Sequence, residues 1–207
     1  AVAAAVAANA LLETPLAVRE LLPYALEGER YASKGLHADN IAPSLVGGLV
    51  FCPTVLLPDF RNLSVPDGVS SVLMHPELHV NTAHARRGLD RTYSLEQWLQ
   101  QQAYMSGFVA ACERNDIGLL RSCFHDVVIE PQRKNAVACF DDVQDAAIAA
   151  GAFGCSLSGS GPSMFALCFD ADGERIATAM EDACRSTGIE CQSWISPMDA
   201  PGAALEP

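Results

Sequence analysis

Ser158-Gly159-Ser160-Gly161-Pro162-Ser163 lies between Cys155-Ser156-Leu157 and Met164-Phe165-Ala166-Leu167-Cys168-Phe169. Apolar runs on either side of a Gly/Ser/Pro cluster predict two strands joined by a tight turn. The two glycines and three serines of this turn offer backbone N–H groups and hydroxyls, a donor set able to receive a phosphate. An ordinary hairpin turn uses the same residues. The rest of the chain has to decide between the two.

Half of the 207 residues are apolar, and 13 Lys plus Arg stand against 25 Asp plus Glu, a net charge of −12. This is a globular composition with enough length for a packed core. The longest basic runs are Arg86-Arg87 and Arg133-Lys134, so a nucleic-acid partner is not expected. The few arginines become candidates for single anion ligands. Eight cysteines, at 52, 112, 123, 139, 155, 168, 184 and 191, show neither a C-x-x-C pair nor a His pair at ligand spacing. Most sit in apolar runs, which predicts reduced thiols packed as small core residues in a cytoplasmic protein.

Ala1 to Leu12 is apolar except for Asn9, without a basic segment before it, and too short to span a bilayer. A signal peptide and a membrane partner are therefore not expected. With no N-cap residue before it, the stretch reads as the middle of a helix, as though cut from something longer. Thr14-Pro15 predicts a helix start, running toward Glu29 and Tyr31 with Pro23 kinking or dividing it. Val46 to Phe51 reads as a Gly-rich strand, and Pro53, Pro58, Pro66 and Gly68 mark a linker. Strands are predicted at Val69 to Met74 and Ile189 to Ile195. Helices are predicted at Leu95 to Arg114, Ile117 to Phe124, Val143 to Ala150 and Glu174 to Ser186. The tail from Ser196 is expected to fray. The alternation predicts an α+β fold, with helices on an antiparallel sheet.

Three polar clusters stand out. Gly35-Leu36-His37-Ala38-Asp39-Asn40-Ile41-Ala42-Pro43 could orient a substrate hydroxyl and amine, or be an Asx cap opening a helix at Ile41. In His79-Val80-Asn81-Thr82-Ala83-His84-Ala85-Arg86, a four-residue step puts Thr82 and Arg86 on one helical face, where an anion could lie; a capped helix with a solvated Arg is the alternative. Glu130-Pro131-Gln132-Arg133-Lys134-Asn135 follows the apolar Val127-Val128-Ile129, and an arginine fixed beside a proline suits carboxylate or phosphate recognition. Such an arginine is more often simply exposed.

Taken in order, A-V-A-A-N-A-L-L, H-A-D-N-I-A-P, V-N-T-A-x-A-R, E-P-x-R and L-S-G-S-G-P-S resemble homoserine kinases of the GHMP small-molecule kinase superfamily. The blocks run from Ala5 to Ser163. S-G-S-G-P-S indicates only the superfamily, whereas H-A-D-N-I-A-P with N-T-A-x-A-R is selective for the homoserine branch. The resemblance implies a two-domain architecture: a remnant of a ribosomal-protein-S5-like N-terminal domain at 1–64, a ferredoxin-like α/β sandwich at 65–200, and a disordered tail at 201–207. It implies ATP-dependent phosphorylation of the L-homoserine side-chain hydroxyl, with Mg2+ as cofactor and a homodimer as one oligomeric option.

By position, the resemblance makes Glu29 a magnesium ligand and puts His37, Asp39, Asn40, Thr82, Arg86 and Arg133 in the substrate pocket. Asn40 would lie nearest the accepting hydroxyl, and Arg86 and Arg133 would clamp the amino-acid carboxylate. Ser158, Gly159, Ser160 and Gly161 would support the ATP site. The P-x-x-x-G-L-G-S-S-A loop of the family has no counterpart here, since Gly47-Gly48 lacks the serines and the following helix. That implies a partial kinase with little turnover alone. Two other functions fit the residues: a GHMP kinase for another small alcohol, and a non-catalytic amino-acid-binding module. A fragment that folds poorly is the third possibility.

Overall fold

Two consecutive glycines shape the first part of the chain. The computed structural model describes residues 1–33, 38–78, 89 and 92–205, which divide into two units, Ala1–Val65 together with the segment from Met198 onward, and Pro66–Pro197.

In the first unit, α1 (Val2–Asn9), α2 (Leu22–Ser33) and α3 (Ala38–Val46) bury Leu22, Ala25, Leu26, Ile41, Ala42 and Leu45 in one core with Phe60. Thr14-Pro15 does not open a helix. The Asn9 side chain takes both the N–H (2.8 Å) and the C=O (3.0 Å) of Leu16, holding that stretch as turns. Helical geometry starts only at the 3-10 turn Val18–Leu21. Pro23 therefore falls in the first turn of α2, beside the point where the 3-10 turn gives way to the α-helix. Helix α3 starts at Ala38, ahead of Ile41.

The predicted strand at Val46 to Phe51 is a strand only in its second half. Val46 closes α3, and Gly47 (φ 75°) and Gly48 (φ 64°) take the left-handed conformation that terminates helices. Only Leu49–Phe51 forms β1, paired antiparallel with β2 (Arg61–Leu63) inside the stretch read as a linker. The tail is likewise docked where fraying was expected. Gly48 N–H donates to Ala200 O and Ala203 N–H to Ser44 O, both at 2.9 Å, while Gly47 bridges to Pro201. Backbone pairing, invisible in a Pro/Ala/Gly composition, holds residues 198–205.

In the second unit β3 (Val69–Pro76) alternates inward Val72 and Met74 with outward Ser71, Leu73 and His75. It is followed by α4 (Leu95–Arg114), α5 (Ile117–Cys123), the single turn α6 (Glu130–Arg133) and α7 (Phe140–Ala149). Then come β4 (Gly154–Leu157), β5 (Met164–Phe169), α8 (Gly173–Ser186) and β6 (Cys191–Pro197). The sheet order is β4-β5-β3-β6, all antiparallel. This succession and order make the split βαβ, ferredoxin-like arrangement, so the α+β expectation holds.

One sheet face packs on α7 and α8, burying Met74, Met164, Ala166, Phe140, Val143, Ile176 and Met180. On the other face Phe165 meets Phe124 (centroids 5.6 Å apart), which meets Phe108 of α4 at 6.1 Å. Helix α4 begins with a reciprocal cap between Ser94 and Gln97 and ends at Asn115 in the left-handed region (φ 53°). Among the described residues no helix is long and apolar enough to cross a membrane.

All eight cysteines are free, six of them buried. Burial first, and the Glu130 carboxylate second, push the Cys155 thiol up to about 12. Burial, then Asp172 and Asp170, push Cys168 up to about 11. A folded-state pKa above the unfolded value near 9 means that these thiols favour the native state fully below pH 9 and lose that contribution as pH rises toward 11–12. The melting temperature is therefore expected to fall between pH 9 and 11, and to fall less in Cys168→Ala; equal slopes would contradict this. At Gly47 an added Cβ would stand 2.4 Å from Ala200 O and from Gly202 N. Gly47→Ala should cost more than about 1 kcal/mol in urea unfolding and speed exchange of the Ala203 amide.

Candidate functional site

The predicted loop is a closed turn. Ser158 N–H donates to Ser163 O (2.8 Å) and Gly161 N–H to Ser158 O (3.1 Å), with Gly159 (φ 61°) and Gly161 (φ 74°) both left-handed. Leu157 sits opposite Met164, so the hairpin register sets the loop length. Among the described residues no atom lies within 4 Å of where a Gly159 Cβ would be, whereas a Gly161 Cβ would touch Val137 and Leu157. At Gly159 the left-handed conformation is what calls for glycine.

Arg133 reaches this loop. Its Nη1 donates to Gly159 O at 3.0 Å, and its Nε is buried with no partner among the described residues. Two separately predicted motifs, E-P-x-R and S-G-S-G-P-S, therefore meet. The neighbouring cation, Lys134, is committed to Asp141 (2.8 Å), which holds its ammonium charged to higher pH than usual. Among the described residues no carboxylate forms an ion pair with Arg133. Asp126 Oδ1 accepts from the N–H groups of Val128 (2.9 Å) and Ile129 (2.8 Å), and Gln101 Oε1 accepts from Val127 N–H (2.9 Å). The chain thus enters α6 already fixed.

Sequence reasoning missed four contributors. His75 Nδ1 lies 2.8 Å from Ser163 Oγ and pins the loop's far end to β3. Glu130, inside the quoted motif, accepts from Ser156 Oγ and from Gln144 Nε2 (3.4 Å), and Gln144 also donates to Cys155 O (2.7 Å). Glu130 could have been suspected from its place in E-P-x-R; His75, Ser156 and Gln144 carried no local signal.

In the first unit, Asp39 and Asn40 lie in the opening turn of α3, exposed, while Ala38, Ile41, Ala42 and Leu45 bury the opposite side. Burial, then the Asp39 carboxylate, raises the Cys52 thiol, which places that negative charge near the end of β1. Glu29 is half-buried on α2. His37, Thr82 and Arg86 lie outside the described residues. Among the described residues, no three His, Cys, Asp or Glu side chains gather to hold a metal ion. An aromatic cavity of about 270 Å³, lined by Tyr104, Phe108, Phe124, His125 and Phe165, contains none of the predicted site residues.

Residues 108–186 match the family model "GHMP kinases C terminal". That stretch is of the GHMP kinase C-terminal type. Over 99% of its length the chain is also 38% identical to the homoserine kinase of Xanthomonas campestris pv. campestris (strain B100). It spans about 63% of the length of that curated relative. The crystal structure of homoserine kinase from Cytophaga hutchinsonii superposes with a TM-score of 0.89 at 37% identity, covering 94% of this chain and 62% of that one. Mevalonate kinase from L. major, in complex with R-mevalonate, shares the fold alone, with a TM-score of 0.66 at 14% identity over 91% of this chain and 60% of that one.

The His75–Ser163 hydrogen bond is a testable part of this geometry. His75→Ala should speed exchange of the Ser158 and Gly161 amides roughly fivefold, the equivalent of about 1 kcal/mol, while the β3–β5 amides stay unchanged. Unchanged loop exchange would show that the contact does not restrain the loop.

Proposed function

We propose that this chain forms the acceptor-binding part of a kinase that transfers the γ-phosphoryl of ATP to the side-chain hydroxyl of L-homoserine, giving O-phospho-L-homoserine. The observation that carries this reading is the Arg133 guanidinium bound to the Gly159 carbonyl, which joins an acceptor-side cation to a loop of the phosphate side. Phosphoryl transfer demands mainly positioning and charge neutralisation, so a cation fixed beside such a loop is the kind of group it needs.

Arg133, with Arg86, takes the amino-acid carboxylate; a guanidinium fork matches a carboxylate with two parallel hydrogen bonds. Asn40, in the exposed first turn of α3, is assigned to the accepting hydroxyl, and His37, Asp39 and Thr82 to substrate binding. Ser158, Gly159, Ser160 and Gly161 support the nucleotide phosphates from beneath. Glu29 holds the Mg2+ of the nucleotide, and that ion, when bound, neutralises phosphate charge. No side chain is assigned as base, since the hydroxyl proton can leave directly to the phosphate. The eight free cysteines support a cytoplasmic setting.

The test uses the protein expressed from its full reading frame, with ADP release followed for L-homoserine, mevalonate and galactose as acceptors. Homoserine should be preferred, and a better rate with another alcohol would refute the assignment. Losing a charge-assisted contact of about 1.5–3 kcal/mol, Arg133→Ala should raise KM for homoserine roughly 10- to 100-fold and leave KM for ATP nearly unchanged. An unchanged homoserine KM would remove the carboxylate clamp.

A further inference from the structure

Helix α6 is one turn long, and an isolated turn of this length cannot hold itself in water. Whatever fixes α6 therefore fixes Arg133. Asp126 and Gln101 secure the approach, through the amides of residues 127–129. Past that point two side chains of α6 hold it against the β4 hairpin, and they are three residues apart on the same face. Glu130 binds Ser156, and Arg133 binds Gly159, also three residues apart. The turn is thus laid along the strand and its loop in matching steps.

A Glu and an Arg at this spacing would ordinarily pair with each other. Here both Glu130 oxygens are engaged by Ser156 and Gln144, and among the described residues no ion pair joins Glu130 to Arg133. Gln144 is itself fixed by Cys155 O, so the anchor is tied to both α7 and β4. The carboxylate therefore serves to hold the turn and leaves the guanidinium un-neutralised.

We propose that Glu130 is a positioning residue of the reaction: through Ser156 and Gln144 it sets α6 so that Arg133 meets the acceptor carboxylate from beside Gly159. This rests on the acceptor role of Arg133 given above. Glu130 touches neither substrate; its effect passes through Arg133.

In the full-reading-frame protein, kcat, both KM values and the melting temperature would be measured for Glu130→Ala, Glu130→Gln and Ser156→Ala. Glu130→Ala should raise KM for homoserine roughly tenfold, with KM for ATP within about twofold. Glu130→Gln keeps an oxygen for the Ser156 hydroxyl and should return to within about threefold of wild type. Ser156→Ala, which removes a single hydroxyl, should fall between the two and decides the matter if Glu130→Ala does not fold. A lowered melting temperature with unchanged homoserine KM in Ser156→Ala and Glu130→Gln would overturn the proposal, leaving a merely structural anchor. Equal damage by Gln and Ala would also overturn it. If the wild type turned over ATP with another alcohol and not with homoserine, the acceptor assignment itself would fail and this inference with it, a result the variants are not needed to read.

Discussion

The antiparallel pairing of β4 with β5 is the constraint on which the second unit depends. With Leu157 opposite Met164, inward Met164, Ala166 and Cys168 meet α7 and α8, and outward Phe165 meets Phe124. A slip of one residue would exchange these faces, so the aromatic and aliphatic layers jointly enforce the register. The same register determines where Ser158 leaves the ladder and Ser163 rejoins it. Loop, hairpin and core are a single solution.

Around that loop, polar contacts come from distant parts of the chain. His75 belongs to β3, Arg133 to α6, and the Glu130–Ser156–Gln144 group joins α6, β4 and α7. Side chains so arranged are held in place by the packing of the elements that carry them. The first unit presents its candidate residues differently. Asp39 and Asn40 stand at the open end of α3, whose other side is buried by Ile41, Ala42 and Leu45.

Much of the second unit was legible. Helix α4 carries its own start signal in Ser94 and Gln97, and Val69 to Met74 forms the strand expected there. The S-G-S-G-P-S stretch stood out because apolar runs bracket it. The first unit was harder. Apolar Leu49-Val50-Phe51 drew the preceding glycines into a strand, although two left-handed residues in succession end a helix. Thr14-Pro15 has the local form of a helix start, yet the Asn9 side chain claims the backbone of Leu16. The tail from Met198 lacks any pattern, because it is held by backbone hydrogen bonds that every residue can make.

By itself the amino-acid order determined the α+β class and the hairpin loop, since periodicity and turn chemistry are local properties, and it carried motifs that resemble those of GHMP kinases. It also singled out Arg133 and Gly159 separately. Only the tertiary structure decided that the two meet, that Lys134 is taken by Asp141, and that Glu130 turns to Ser156. Those contacts join residues 7 to 26 positions apart, and which donors meet which acceptors across such separations depends on how the helices pack on the sheet.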